Sequence, residues 1–311
     1  MVVFAIHKIS RQKTVEGTQI PGIIHNMQYF YINLDVYEDG MMNCWELVDL
    51  DGLKEKLEIG WLVPSIPDGE NISIHGLGAY KIITGSWNYD KNSYYEYIKK
   101  AIERLNPNLN NIYTVSEEEK KLLEQRRISY SPEAKDFYVK SELFYQTVEG
   151  NGFPIFMKHE GCCYLANLVV YQDGCVKCYY SGYELDYKIE EVQEMFRNGT
   201  FFTEFKTPTK MMIDDFAEVT LGEAVYCTDP EEKYKELLDI HSKLNGKKTS
   251  LEKCREAYYS YLEYPSDYTR ERLKELYELI PEHERMYLGD MDSKDADYIR
   301  IIYYPEDKRE V

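Results

Sequence analysis

Basic residues are scarce for a chain of this size: 37 Lys and Arg stand against 55 Asp and Glu, a formal net charge of −18 over 311 residues. An excess of negative charge repels a phosphate backbone, and no dense Lys/Arg stripe offsets it, so direct nucleic-acid binding is disfavoured. Nothing approaches the roughly 18 consecutive apolar residues of a membrane span. Met1 to His7 lacks a basic start, a long apolar run and a small-residue cleavage site. A cytoplasmic protein is therefore expected. Glycine (18) and proline (11) are few, while 43% of residues are hydrophobic and 14% aromatic; this is the composition of a packed, globular chain. Seven cysteines is an odd number in a chain too long to need disulfide staples, so reduced, mostly buried thiols are expected. No Walker loop, G-x-G-x-x-G, G-x-S-x-G or H-E-x-x-H occurs, and the six histidines form no i, i+4 metal pair.

What the chain does contain is a duplication. Thr14-Val15-Glu16-Gly17 recurs as Thr147-Val148-Glu149-Gly150, and Pro21 recurs at the same offset as Pro154. One residue further out of step, Asn33-Leu34 recurs as Asn167-Leu168, the Tyr37 to Gly40 run as Tyr171 to Gly174, and Cys44 as Cys178. Later still, Gly60 meets Gly199, Ile74 meets Ile213 and Leu105-Asn106 meets Leu244-Asn245. Ordered matches whose offset only grows are the mark of a repeat.

Each copy yields the same outline. Phe30, Ile32, Leu34 and Val36 alternate with polar positions, as do Tyr164, Ala166, Leu168 and Val170, which predicts half-buried strands. Asp39-Gly40 and Asp173-Gly174 turn each strand into a hairpin. Cys44 then faces Leu34 and Cys178 faces Leu168. Helices follow: Leu53 and Leu57 share a face before Gly60, and Ile189, Val192 and Phe196 share one before Gly199. Strand material resumes at Trp61 to Val63, Ile72 to Ile83, Phe201-Phe202 and Met211 to Leu221. Helices from Tyr94 to Leu105 and from Glu231 to Leu244 close the copies, the second announced by Asp229-Pro230. The expected class is α+β: two tandem modules of antiparallel sheet plus helices, with a small, mostly helical C-terminal module. The expected boundaries are 1–112 for the first repeat, 113–140 for a helical linker, 141–246 for the second repeat and 247–311 for the C-terminal module. Ser116 with Glu119 predicts a capping box for a linker helix reaching about Arg127, and Thr249 with Glu252 predicts another for a helix to about Leu262. A helix from Tyr268 to Leu279 stops at Pro281, and Tyr298 to Tyr303 is expected as a short strand.

Candidate chemistry is thin. Cys162, Cys163, Cys175 and Cys178 come closest to a zinc set, but residues three apart on a regular strand point to opposite faces, so buried thiols are favoured and no metal or cofactor is expected. Asp290, Asp292, Asp295 and Asp297 form an acidic cluster. An EF-hand loop needs an oxygen ligand fifth and glycine sixth, where Lys294 and Asp295 stand. A magnesium site using Glu282 or His283 remains an alternative, as does pairing of the acids with Arg285 and Lys294. Thirty tyrosines are the compositional outlier; tyrosine favours interfaces and is also a good strand former. Asn33 and Tyr37, matched by Asn167 and Tyr171, sit opposite the aliphatic face and either line a binding surface or lie under the helices.

The run from Thr14 through Asp39-Gly40-Met41 and the closing stretch Pro281 to Asp292 resemble a family of uncharacterised bacterial proteins with a domain of unknown function, here in two copies with a small C-terminal module. The resemblance supplies no catalytic residues. It implies an interaction protein of the kind found in bacterial conflict systems, such as toxin immunity or phage defence. The leading expectation is thus a non-enzymatic, acidic protein that docks a basic protein partner. Its binding residues would be Asn33, Tyr37, Asn167, Tyr171, Arg285, Asp290, Asp292, Lys294 and Asp295. A metal-dependent hydrolase built on Asp290 to Asp297 and a self-associating structural subunit are the two alternatives.

Overall fold

The structure, a computed structural model, describes residues 15–124, 138–141 and 147–307. Thr14, the segment Met1 to His7 and the far end of the linker helix toward Arg127 lie outside the described residues. Two compact units emerge, and their limits are not those of the repeats. Phe205–Val225 of the second repeat counts with the first unit, and Gly76–Gly78 of the first repeat counts with the second.

The first repeat begins with β1 (Gly17–Asn26) and β2 (Gln28–Tyr37), paired antiparallel from Gly17 opposite Tyr37 to Asn26 opposite Gln28. The Asp39-Gly40 turn forms as expected, with Gly40 at φ +82° and the Tyr37 amide bonded to the Met41 carbonyl at 3.0 Å. It leads into β3 (Met42–Asn43) and β4 (Leu47–Val48). Helix α1 (Leu50–Glu58) buries Leu53 and Leu57, the two residues its spacing marked. Its cap, Asp49, is itself buried. One carboxylate oxygen accepts the Gly52 amide at 2.8 Å and the other the Val115 amide at 2.8 Å, so a single side chain ties the helix start to the chain leaving the repeat. Strands β5 (Leu62–Val63), β6 (Asn71–Ile74) and β7 (Gly78–Trp87) follow, then α2 (Lys91–Leu105) and α3 (Glu117–Glu124). The Asp90–Ser93 capping box starts α2 three residues ahead of the expected Tyr94, because the first turn carries no apolar residue to announce it. The Ser116–Glu119 box forms as expected.

The second repeat runs through β8 (Tyr138–Ser141), β9 (Thr147–His159), β10 (Cys162–Tyr171), β11 (Cys175–Tyr180), β12 (Tyr183–Lys188), α4 (Ile189–Arg197), β13 (Phe201–Phe202), β14 (Thr209–Ile213), β15 (Ala217–Cys227) and α5 (Pro230–Leu244). Within the first unit the strand order is β14-β15-β7-β6-β2-β1-β5; within the second it is β12-β11-β10-β9, with β8 and β13 also on β9. In the first unit the pairing is mixed rather than wholly antiparallel, while β8 to β13 of the second pair antiparallel. β6 lies parallel to β2, Tyr31 facing Ile74, because the helix α1 crossover returns the chain in the same direction.

The matched motifs have a packing explanation. Gly17 faces Tyr37 and Gly150 faces Tyr171 across paired strands. A methyl group on Gly17 would stand 2.9 Å from the Tyr37 ring, and one on Gly150 would stand 2.6 Å from the Tyr171 ring. The tyrosines lie over the bare glycines, which is why Thr-Val-Glu-Gly and Tyr-x-Asp-Gly recur together. Cys178 faces Leu168 in the predicted register, and Cys44 and Cys178 are both fully buried.

The C-terminal module comprises α6 (Ser250–Glu263), α7 (Asp267–Glu278), a 3-10 turn (Glu282–Tyr287) and α8 (Ala296–Tyr303). The short strand expected over Tyr298 to Tyr303 is a helix. Tyr298, Ile301 and Ile302 are its buried residues, a helical i, i+3, i+4 set. They join Cys254, Leu273, Tyr277, Ile280 and Leu288 in one core. Among the described residues no helix is long and apolar enough to cross a membrane.

Candidate functional site

Helix α5 opens on Asp229, whose side chain accepts the Glu231 amide, and on Pro230 in the first turn. Positions 232, 236 and 239 then share one face, and all three are acidic. Each accepts a hydrogen bond from the C-terminal module. Glu232 takes the Glu282 amide at 3.0 Å, Glu236 takes His283 Nε2 at 2.7 Å, and Asp239 takes the Ser250 amide at 2.9 Å together with its hydroxyl. The 3-10 turn that presents His283 and Glu284 is anchored separately. Arg285 lies over the Tyr277 ring, 4.8 Å from its centroid, and donates from Nε to the Ile280 carbonyl.

One turn before Glu236 lies Lys233, whose side chain is 0% exposed. Lysine is almost never fully buried without a partner. Its ammonium stands 2.5 Å from Glu236 Oε2 and 3.7 Å from the centroid of the Phe153 ring. Loss of water pushes the Lys233 ammonium below the usual lysine range, and the charges of Glu236 and Glu284 restore only part of the shift. For Glu236, burial acts upward but is outweighed by the His283 hydrogen bond and by Lys233, leaving its carboxyl below the usual range. Glu284 is raised, by burial and then by the neighbouring Glu236 charge. The outcome is a partly buried group of two carboxylates, an imidazole and an ammonium. Among the described residues, Glu236, His283 and Glu284 form the group of three or more His, Cys, Asp or Glu side chains placed to hold a metal ion.

A second candidate lies in the first unit. Trp45 sits between β3 and β4 at φ +68°, a left-handed conformation that is a genuine outlier for a bulky side chain, and its side chain is 54% exposed. It meets the Trp61 ring edge-on at 6.2 Å and the Phe30 ring at 5.1 Å. Lys56 pairs with Glu46 at 2.5 Å and lies 5.4 Å from the Trp61 centroid. Glu46 next to Trp45 in the chain is exposed, as are Asp51, Glu55 and Glu58 of α1.

The residues expected from the sequence are dispersed. Tyr37 and Tyr171 are buried over their glycines, and Tyr171 shares a 2.7 Å hydrogen bond with Tyr179. Asn33 accepts from the Tyr31 hydroxyl at 3.1 Å and stands opposite Pro21; Asn167 stands opposite Pro154. Asp290 receives the amides of Asp292 and Ser293 and the Ser293 hydroxyl within its own turn. Lys294 closes that turn at φ +47°, and Asp292 is exposed. Asp295 accepts from the Tyr277 hydroxyl at 2.7 Å, so Arg285 and Asp295 meet on one tyrosine. Asp297 pairs with Arg300. Cys162 is exposed, Cys163 and Cys175 are half-buried, and Cys178 is buried against Met157.

Lys233, Glu236 and Glu284 were not singled out from the sequence. A signal existed in the repeat itself. The offset that aligns Leu105 with Leu244 also aligns Tyr94 with Lys233 and Tyr97 with Glu236. A lysine in the place of a core tyrosine is a lysine inside.

Residues 5–109 and 137–248 each match the family described as Domain of unknown function (DUF7638), and residues 249–310 match Domain of unknown function (DUF7639). No curated protein and no solved structure matches the chain.

Proposed function

The chain belongs to the DUF7638 family, with two copies of that domain followed by one DUF7639 module, and from that premise we propose a non-enzymatic binding protein that docks a basic protein partner in the cytoplasm. The observation that carries this reading is Trp45. A left-handed backbone costs an L-residue about 1–2 kcal/mol, and here it holds an indole half in water beside two further aromatic rings. Aromatic anchors of this type dominate binding energy at protein interfaces. Exposed Glu46 beside Trp45 and the exposed acids of α1, in a chain of net charge −18, favour a basic partner and steer its approach. A nucleic-acid-binding protein whose phosphate-contacting face becomes covered is the partner class that fits best, in keeping with a role in immunity or phage defence.

The test is capture of partners by the tagged full chain at low and at high salt, in parallel with Trp45→Ala. A basic protein held at low salt, released at high salt and lost in the variant supports the reading. Capture that ignores both salt and Trp45, or no capture at all, overturns it.

A further inference from the structure

Protein metal sites form where donors converge, carry net negative charge and are partly shielded from water. One oxygen each from Glu236 and Glu284 and one ring nitrogen of His283 lie within 4.8 Å of one another. Around a tetrahedral ion with bonds of about 2.0–2.2 Å the donors stand roughly 3.5 Å apart, a distance within reach of side-chain rotation. Three features distinguish this group from a solvated acidic cluster. It contains an imidazole, its Glu236 and His283 side chains are only 13% and 19% exposed, and its donors come from α5 and from the 3-10 turn. Those two elements are already held together by the Glu232 bond to the Glu282 amide, which uses none of the donors. Donor capacity is also unspent. His283 Nδ1 is buried without a hydrogen-bond partner, and the Glu284 carboxylate accepts no hydrogen bond among the described residues.

We infer that Glu236, His283 and Glu284 bind one divalent ion of the zinc class, with a coordination position left for water, and that the Lys233 ammonium is the internal cation that competes with it. The imidazole selects a borderline transition ion over magnesium or calcium, which prefer all-oxygen shells and, for calcium, six or more ligands. Lys233 stands 2.5 Å from Glu236 Oε2, so an ion that takes this oxygen requires the ammonium to give up that contact. Bound in this way, the ion would join α5 to the 3-10 turn. The inference is independent of the Trp45 reading, since it involves none of the same residues.

The experiment is titration of the metal-stripped full chain with Zn²⁺ and Co²⁺, read by equilibrium dialysis and by visible cobalt absorption. Expected are one equivalent per chain, a tetrahedral cobalt spectrum without a thiolate charge-transfer band, and a rise in melting temperature on binding. Glu284→Gln removes a ligand without removing a hydrogen bond and should weaken binding by about a hundredfold or more, beyond the 10–100-fold typical of outer-shell partners. Lys233→Met should tighten binding about tenfold or more by removing the competing charge. Circular dichroism of each variant separates loss of a ligand from loss of the fold. No saturable binding by the folded chain, a thiolate-to-cobalt band, or binding unchanged in both Glu284→Gln and His283→Asn would overturn the site.

Discussion

Helices α2 and α5 close the two repeats, have the same length and follow equivalent strands, yet they bury opposite chemistry. In α2, Tyr94 is fully buried and donates to the Pro21 carbonyl at 2.7 Å, while Tyr97 donates to Asp215 at 2.9 Å. The rings of Tyr89, Tyr94, Tyr97 and Phe216 pack together there. In α5 the same two positions are Lys233 and Glu236, which pair with each other, and Glu236 also bonds His283 of the C-terminal module. Phenols provide an apolar body with one polar atom to satisfy. An ion pair in the same space is stable only when every charge has a partner. The second copy became dependent on what packs against it, whereas the first is satisfied by neighbours of neutral or singly acidic character.

That contrast can be broken most sharply at Glu236. Glu236→Gln leaves the buried Lys233 without its carboxylate and should cost about 3–5 kcal/mol in urea unfolding, while Tyr97→Phe at the matched position should cost about 1 kcal/mol or less. Equal losses would mean that the two helices are held in the same way. Next comes Gly152, where a methyl group would meet the Leu168 carbonyl at 2.0 Å. Gly152→Ala should destabilise by about 1–3 kcal/mol through overpacking. Its counterpart Gln19 is exposed and donates to Asp35, so a Gln19→Ala variant should melt close to the parent. Tyr94→Phe should cost about 1 kcal/mol for the lost bond to a buried carbonyl; an unchanged melting temperature would show that the Pro21 oxygen finds another donor.

The matched thiols should behave alike. Burial pushes Cys44 up and Cys178 up to about 12, and Cys254 likewise to about 12. Alkylation at pH 8 followed by peptide mass mapping should label exposed Cys162 first and leave these three until the chain unfolds. The smallest effect concerns the helix after the first repeat. Burial pushes the Glu119 carboxyl up, but hydrogen bonds from Tyr113 and Ser116 outweigh it and hold the group below its usual range. A carboxyl lowered in the folded state contributes stability above its unfolded pKa and loses it as pH falls through the folded value. Amide exchange in α3 should therefore quicken as pH drops below about 4.3, the unperturbed glutamate value, beyond the intrinsic pH trend. No change relative to Glu119→Gln would remove the carboxylate from the cap.

Local chemistry was legible before the structure. The Asp-Gly turns, the Ser116 and Thr249 capping boxes, the Leu53 and Leu57 face and the facing of Cys178 on Leu168 all follow from neighbours within a few residues. Non-local pairing was not. The parallel alignment of β6 on β2 and the grouping of Phe205–Val225 with the first unit depend on contacts far apart in sequence. The strand expected at Tyr298 failed because Ile, Arg, Ile and Ile satisfy both a two-residue and a four-residue period over so short a run. Lys233 was invisible for a different reason: a charged residue on an amphipathic helix is ordinarily solvated, and only comparison with Tyr94 shows that this position faces inward.

The tyrosines lying over Gly17 and Gly150 also constrain how the family can diverge. Any side chain at the glycine collides with the ring, and a smaller residue at the tyrosine opens a hole above the glycine. Neither position can drift alone, so across descendants the two should change together or not at all. The pair is then an inherited coupling, carried in duplicate, that keeps the strand register legible in sequences whose helices have otherwise parted ways.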